Sequence, residues 1–255
     1  MLLAVDVGNT QTVIGIYDGE RLADHWRVAT EPRRTGDELG VMLAGFFDLT
    51  RVSGVCLSST VPALVRAYEH LAERWAAAPL LVVGPGTRTG MVIRVDDPRQ
   101  LGPDRIVNAV AASALYPGEP VVIVDFGTAI TVDAVSARGE YLGGAIAPGI
   151  ETAATALFQS TAQIRRVELV APAHVIGKNT VTAVQSGIVF GTAALVDGLV
   201  EQVTKELGGS ARVVATGGHA GAVIEHSNRI EQIEPHLTLQ GLKLIFELNA
   251  VRTSP

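Results

Sequence analysis

Residues 2–22 read LLAVDVGNTQTVIGIYDGERL, and residues 121–142 read VVIVDFGTAITVDAVSARGEYL. The second stretch repeats the first, with Asp125 aligned on Asp6 at an offset of 119 residues (125 − 6). The other matched positions are Gly127 on Gly8, Thr128 on Asn9, Thr131 on Thr12 and, after one extra residue in the second hairpin turn, Gly139-Glu140 on Gly19-Glu20. A self-match at nearly half the chain length predicts a duplicated domain.

Both copies begin with an apolar run that ends in an aspartate, a glycine and short polar residues. Such a strand and turn expose backbone N–H groups and small donors that can surround an anion. The carboxylate cannot bind a phosphate directly, but it can hold Mg²⁺ or its water shell beside one. The alternative is that Asp-x-Gly is an ordinary turn whose aspartate bonds the nearby backbone.

The intervening sequence alternates predicted strands and helices, which is typical of an α/β layer structure. Thr35 and Glu38 form a capping-box pattern at the start of a helix. The other predicted elements are strands at 2–5, 12–17, 21–28, 52–57 and 80–83, and helices at 62–77 and 104–115. The boundary between the two copies is expected near residues 116–120.

A third glycine-rich loop follows the β-rich run ARVVAT, where Thr216, Gly217 and Gly218 would let bare backbone approach an adenosine. Two commoner nucleotide signatures are missing from the sequence. VIGKNT lacks the first glycine of a P-loop, and the glycines at 84, 86 and 90 do not have Rossmann spacing. A P-loop or Rossmann enzyme is therefore disfavoured.

The composition narrows the class of protein. The chain has 255 residues, 47% of them hydrophobic, and a net charge of −6 with scattered basic residues, which disfavours a nucleic-acid binder. The single Cys56 cannot form an internal disulfide, which favours a reducing, intracellular setting. The apolar stretch between Lys178 and Lys205 contains Asp197 and Glu201, so we expect a buried helix of a soluble protein rather than a membrane span.

Six motifs occur in order along the chain: DVGNT at 6–10, LGPDR at 101–105, VDFGTA at 124–129, GGAIAPG at 143–149, GKNT at 177–180 and TGG at 216–218. Together they resemble the type III pantothenate kinase family, over residues 1–246. The resemblance implies the fold of the acetate and sugar kinase, heat-shock chaperone ATPase and actin superfamily. This is an α/β fold of two ribonuclease H-like domains, residues 1–117 and 118–255. Each domain would be a mixed five-stranded sheet flanked by helices, with the active site in the cleft between them.

The same resemblance implies transfer of the ATP γ-phosphoryl group to pantothenate, the first step of coenzyme A synthesis. It implies Mg²⁺ and a monovalent cation, K⁺ or NH₄⁺, as cofactors. It also implies a homodimer. With the single cysteine, the acidic charge and the polar residues of the apolar stretch, we expect a cytoplasmic protein with no nucleic-acid or membrane partner. Gly187, Gly191 and Gly198 permit close backbone approach, either inside a domain or at a subunit contact.

Carried over by residue, the resemblance makes Asp104 the general base, Asp6 the Mg²⁺ ligand and Asp125 the ligand of the monovalent cation. The implied ATP-binding residues are Asp6, Val7, Gly8, Asn9, Thr10, Gln11, Thr12, Val13, Thr128, Gly217 and Gly218. The implied pantothenate-binding residues are Gly102, Pro103, Asp104, Arg105 and Thr180, with Arg105 meeting the carboxylate. Two of these residues have structural alternatives. Asp104 suits a helix N-terminus, and Thr180 could be a helix cap.

Three other functions compete with this interpretation. The first is a pantothenate-kinase-like transcriptional regulator. The intact Asp6, Asp104 and Asp125 and the acidic net charge argue against it. A kinase of another small alcohol on the same fold differs in the substrate loop, since fold alone does not fix the substrate. A metal-dependent nuclease is disfavoured by the negative charge and by the paired phosphate loops.

Overall fold

The computed structural model describes residues 1–160, 166–218 and 220–250, which form two compact units. In the described chain, the first unit comprises residues 1–91, 96–111 and 236–250, and the second comprises 92–95 and 112–235. The predicted ranges 1–117 and 118–255 differ from this division in three segments. Residues 92–95 and 112–117 group with the second unit, and residues 236–250 group with the first.

The first unit contains a five-stranded sheet with helices on both faces. Its elements are β1 (Leu2–Val7), β2 (Gln11–Asp18), β3 (Arg21–Ala29), α1 (Gly36–Ala44), β4 (Gly54–Ser59), α2 (Pro62–Leu71) and β5 (Leu80–Val82). The strand order is β3-β2-β1-β4-β5, with β1 antiparallel to β2 and parallel to β4. One face of this sheet packs on α1 and α2 through a core that includes Leu3, Val5 and Leu57.

The helices on that face begin where the sequence predicts them. Thr35 caps α1, and the reciprocal bonds with Glu38 confirm the capping box. The predicted helix 62–77 is interrupted, because α2 ends at Leu71 and continues as a π-helical turn over Ala72–Ala76. It stops at Ala77, which has a left-handed φ of 49°.

The remaining elements follow the loop after β5. They are β6 (Val92–Ile93), α3 (Pro103–Leu115), β7 (Val121–Phe126), β8 (Ala129–Val135), β9 (Glu140–Pro148), α4 (Ile150–Ser160), α5 (Thr180–Glu206), β10 (Arg212–Thr216), α6 (Ala220–Ile224), β11 (Gln232–Ile233) and α7 (Leu237–Ala250). Short 3₁₀ turns lie at Leu49–Arg51 and Pro98–Gln100. The other face of the first sheet packs on α7, where Ala4 and Cys56 cluster with Leu239, Leu242 and Ile245.

The second unit repeats the topology of the first, which confirms the predicted duplication. Its sheet has the order β11-β10-β7-β8-β9-β6, so β9-β8-β7-β10-β11 matches β3-β2-β1-β4-β5 strand for strand. The expectation of five strands is wrong for this unit, because Val92 and Ile93 add a sixth strand parallel to β9. A two-residue strand carries no periodic pattern that the sequence alone would reveal.

The strand register corrects one detail of the repeat. Val7 pairs with Thr12 in the first hairpin, whereas Phe126 pairs with Ile130 in the second. The loop is therefore residues 8–11 in the first copy and only 127–129 in the second. Ile130 is thus the counterpart of Thr12, and the predicted match of Thr131 to Thr12 is wrong by one residue.

The helix α5 is buried on one face only, so the expectation of a buried helix is wrong for its other face. Val189, Val196 and Val200 point into the core of the second unit. The opposite side is exposed and combines small residues with the larger apolar side chains of Val181 and Leu195. Within the described residues α5 is long and apolar enough to cross a membrane by length and hydropathy, a test that core helices also pass.

Candidate active site

The first phosphate-loop candidate is the turn between β1 and β2. Its carbonyl groups are held by hydroxyls from neighbouring segments. Thr30 Oγ1 donates to the Gly8 carbonyl at 2.7 Å and lies 2.9 Å from Thr12 Oγ1. Thr60 donates from its N–H and its Oγ1 to the Val7 carbonyl, at 2.9 and 3.1 Å. These carbonyl oxygens thus accept hydrogen bonds from within the protein. The exposed part of the turn consists of Asn9 and its neighbours.

Asp6 precedes this turn and is partly exposed. It pairs with Val13 on β2 and with Ser58 on β4. Because side chains alternate along a strand, Asp6 lies on the same sheet face as Ala4, which packs with Val107 of α3. Asp6 and the predicted substrate helix are therefore attached to the same face of the first sheet.

The predicted substrate segment is the N-terminus of α3. The helix begins at Pro103, a residue favoured at the first helical position because its missing N–H needs no partner there. Asp104 lies in the first helical turn, and a Cβ added to Gly102 would collide with its Oδ1 atom. The carboxylate therefore folds back over Gly102 at the positive end of the helix dipole. This position also suits the alternative in which Asp104 only stabilises the helix N-terminus.

The second phosphate-loop candidate is the turn between β7 and β8. Gly127 donates its N–H to the Ala129 carbonyl at 3.1 Å, which closes the tight turn. The Thr128 carbonyl accepts hydrogen bonds from the Gly149 N–H at 3.1 Å and from Thr152 Oγ1 at 2.7 Å. The segment GGAIAPG thus ends by supporting the second loop. This contact gives that motif a structural role.

Gly217 brings the third glycine-rich loop against the second. Its φ is +95°, and a Cβ added there would lie 2.6 Å from the Phe126 backbone and 2.7 Å from Asp125 Oδ1. Both the left-handed backbone and the lack of space require glycine at this position. Thr216, the last residue of β10, pairs in register with Asp125. Two motifs far apart in the sequence therefore meet in one place.

Thr180 lies in an open groove at the start of α5, in the second unit. Asn179 caps this helix and forms a capping box with Thr182, so the alternative that Thr180 is the cap is wrong. Thr180 is exposed in the first turn. The groove encloses about 680 Å³ and is lined by Leu157, Gly177, Lys178, Asn179, Thr180, Ala183, Val184, Gly187 and Ile188.

Several polar residues of these sites have no signal in the sequence. Ser58 adjoins Asp6, and Thr30 and Thr60 anchor the first loop. Their positions depend on the pairing of strands distant in sequence, which local patterns do not reveal. Among the described residues there is no group of three or more His, Cys, Asp or Glu that could hold a metal.

Comparison with known proteins places the chain in a family. The family model described as type III pantothenate kinase matches residues 2–202. A type III pantothenate kinase of Frankia alni is 51% identical over 250 residues, covering 98% of this chain and 100% of the relative. This chain belongs to the type III pantothenate kinase family. That membership makes it a kinase, and the regulator alternative is not favoured.

Solved structures agree on the fold. A candidate Baf family transcriptional activator from Campylobacter jejuni has a TM-score of 0.61 at 18% identity, covering 98% of this chain and 99% of that one. A candidate N-acetylmannosamine kinase from Listeria monocytogenes has a TM-score of 0.55 at 12% identity, covering 97% and 99%. At such identities the likeness shows the fold alone. It confirms the predicted duplicated α/β fold.

Proposed function

We propose that the protein transfers the γ-phosphoryl group of ATP to the primary hydroxyl of pantothenate. The observation that carries this proposal is the contact of Gly217 with Asp125, which joins two nucleotide-type loops in one unit. Family membership supplies the substrate class, since relatives that match over nearly their full length carry the name pantothenate kinase. Phosphoryl transfer needs mainly positioning and charge neutralisation, which such loops provide.

The first loop, Asp6 to Val13, would bind the phosphates of ATP. The Val7 and Gly8 carbonyl oxygens, the negative ends of their peptide dipoles, already accept hydrogen bonds from Thr60 and Thr30. An anion that approaches the exposed side of the turn is therefore repelled less by them. Asp6 would hold Mg²⁺, which suits a carboxylate beside a hydroxyl strand neighbour. When bound, Mg²⁺ neutralises charge on the phosphate oxygens.

The start of α3 would act on pantothenate. Asp104 would accept the proton of the attacking hydroxyl, and Arg105 would pair with the pantothenate carboxylate. A carboxylate that orients a hydroxyl nucleophile is the usual base of phosphoryl-transfer enzymes. Gly102 and Pro103 would shape the loop around both groups. Thr180, beside Lys178 in the groove of the second unit, would contribute another contact to pantothenate.

Asp125 would ligate the monovalent cation, K⁺ or NH₄⁺. Its register neighbours are Thr131 on one side and Thr216 on the other, so two hydroxyl residues flank the carboxylate. Such oxygen donors suit a hard cation. Thr128 would touch a phosphate of ATP, and Gly217 with Gly218 would lie against the adenosine.

The protein would be a soluble cytoplasmic homodimer that works without nucleic-acid or membrane partners. The exposed side of α5 supports the dimer, because it includes a strip of small residues: Ala183, Gly187, Gly191, Ala194 and Gly198. A Cβ added to any of these three glycines would meet nothing within 4 Å. A second copy of this helix could approach closely there. In a symmetric dimer the same strip would serve both partners.

A coupled assay that reports ADP formation tests the proposed reaction. Purified protein with ATP and Mg²⁺ should form ADP only when pantothenate is added, and K⁺ should raise the rate. Reactions without pantothenate, and with small alcohols such as glucose or glycerol in its place, serve as controls. ADP formation with another alcohol and none with pantothenate would overturn the substrate assignment and leave the kinase assignment in place.

A further inference from the structure

Ser58 is a fully buried serine next to Asp6, with a relative exposure of 0%. Its Oγ atom has no hydrogen-bond partner in the described chain. The residue lies at the end of β4, where it pairs in register with Asp6 across the parallel β1–β4 ladder. Partners in register project to the same face of a sheet, so the serine hydroxyl and the aspartate carboxylate are side by side.

The second unit repeats this pairing. Thr216, at the end of β10, is 3% exposed and pairs in register with Asp125. Since β10 corresponds to β4 and β7 to β1, each loop aspartate has a buried hydroxyl residue at the same position on the neighbouring strand. The two copies differ at many other positions of these strands. The recurrence points to a role that depends on the hydroxyl group and on its place beside the aspartate.

A buried hydroxyl without a partner normally destabilises a fold, because it has lost its hydrogen bonds to water. Such groups are few in native proteins, and each one calls for an explanation. Ser58 Oγ lies beside a partly exposed carboxylate whose Oδ1 atom is also buried. A ligand held by Asp6 would therefore come within reach of the serine.

We propose that Ser58 is a positioning residue whose hydroxyl hydrogen-bonds the water shell of the divalent cation held by Asp6. The inference rests on the proposed function for the identity of that cation. The donor set fits Mg²⁺, which keeps several waters and is bound through one or two carboxylates together with substrate phosphates. Outer-shell partners of this kind orient the ligands of a metal and tune its affinity.

The simplest alternative is that Ser58 only fills space in the core. The two interpretations differ in the expected behaviour of Ser58→Ala. If the serine is a filler, alanine should leave metal binding unchanged. If it positions the metal, the variant should bind the divalent ion more weakly while the metal-free protein is as stable as wild type, or more stable, since an unsatisfied hydroxyl has been removed.

Mn²⁺ binding in the presence of ADP tests the inference without turnover. Free Mn²⁺ is measured by electron paramagnetic resonance while the metal is titrated into protein and ADP. We expect the apparent Kd of Ser58→Ala to rise about tenfold, at the lower end of the usual effect of losing an outer-shell partner. Thermal unfolding of the metal-free protein should give a Tm at or above that of wild type.

Three further variants make the result decisive. Cys56→Ala is the matched control, because Cys56 is equally buried on the same strand and face but pairs with Ala4. It should keep wild-type Mn²⁺ affinity. Ser58→Thr retains the hydroxyl that Thr216 supplies in the other unit, so it should restore binding. Ser58→Cys keeps the volume with a weaker donor and replaces the alanine variant if that fails to fold.

Two results would overturn the inference. One is unchanged Mn²⁺ affinity in folded Ser58→Ala or Ser58→Cys, and the other is an equal loss in Cys56→Ala. These measurements use no pantothenate, so a failure of the proposed reaction in the coupled assay would be seen separately from a failure of the Ser58 assignment.

Discussion

Tyr141 donates its hydroxyl hydrogen to Oδ1 of Asp133 at 2.6 Å, and both residues have a relative exposure of 0%. The other carboxylate oxygen of Asp133 accepts from Thr131 Oγ1 at 3.0 Å. Thr131 in turn pairs with Asp125 across the β7–β8 ladder. Asp133 therefore accepts hydrogen bonds from two hydroxyl groups. One of them belongs to Thr131, the strand partner of the proposed cation ligand Asp125.

Tyr141→Phe should destabilise the protein. The substitution removes a donor from a buried carboxylate, and hydrogen bonds to charged groups contribute about 1.5–3 kcal/mol to the free energy of unfolding. We expect a loss in that range, measured as a shift in the midpoint of urea unfolding. Removing a single hydroxyl leaves the ring volume intact, so packing should not contribute.

Tyr17→Phe is the matched control for that variant. Tyr17 is 3% exposed, but its hydroxyl has no hydrogen-bond partner among the described residues, and burial raises its pKa to about 12. Its removal should leave the free energy of unfolding unchanged or slightly higher. Equal losses in the two variants would show that the Asp133 bond is not the cause.

Gly217→Ala should abolish nucleotide binding. The added methyl group would overlap the Phe126 backbone and approach Asp125 Oδ1, so the loop must move away from the second phosphate loop. Binding of a fluorescent ATP analogue measures the effect. Gly209→Ala is the control, because Gly209 has the same φ of +95° with nothing within 4 Å of its Cβ position. It should lose only about 1–2 kcal/mol of stability, from backbone strain, and keep nucleotide affinity.

Asp104→Asn should lower kcat by at least about 10²-fold, within the range for a positioned base. Nucleotide affinity should change little, and stability should fall by at most about 2 kcal/mol, the upper range for a partly buried carboxylate at a helix N-terminus. Glu151→Gln, in the first turn of α4, changes the same type of helix charge and serves as a control. Wild-type turnover in Asp104→Asn would remove this residue from the reaction.

Glu140 should make the stability of the second unit depend on pH in the acid range. Hydrogen bonds from Arg94, and then from Arg138 and Ser136, hold the pKa of this carboxyl below its ordinary value of 4.5. A carboxyl whose pKa is lowered by folding stabilises the native state above its unfolded pKa and loses that effect as the pH falls through the folded pKa.

The Glu140→Gln variant tests this pH dependence. It should be less stable than wild type at pH 7, and the difference should shrink as the pH falls below about 4.5, the ordinary range of the carboxyl. Urea midpoints at pH 7 and at several acid pH values measure the change. A gap between the two proteins that stays constant over this range would contradict the assignment.

Gly191→Arg should convert the proposed dimer to a monomer. The new side chain would project from the exposed strip of α5, where an added Cβ meets nothing within 4 Å. Light scattering should give half the wild-type mass, while circular dichroism stays unchanged. Gly221→Arg is a control at another open glycine, on α6. A wild-type protein that is already monomeric would refute the dimer itself.

The sequence predicts those parts of the fold that depend on local patterns. The Asp-x-Gly turns, the Thr35–Glu38 capping box and the repeat that aligns Asp125 on Asp6 are all encoded within short stretches. Each follows from the residue types that a turn or a helix end requires. The roles implied for Asp104 and Thr180 stay predictions, since only binding and kinetic measurements test them.

Features that depend on long-range pairing could not be predicted. The register that places Ser58 beside Asp6 is fixed by two strands about fifty residues apart, and nothing in GVCLSS marks it. The second hairpin is one residue tighter than the first, so aligning Thr131 with Thr12 by identity gave the wrong partner. An apolar helix such as α7 does not reveal which sheet it will cover.

The assignment of α7 to the first unit has a consequence for how the chain can be divided. Leu239, Leu242 and Ile245 fill a core whose other members come from the first half of the sequence. A polypeptide that stops near residue 117 would therefore expose the apolar surface of Ala4 and Cys56 to water. We therefore expect the first sheet to complete its packing only after α7 has been synthesised.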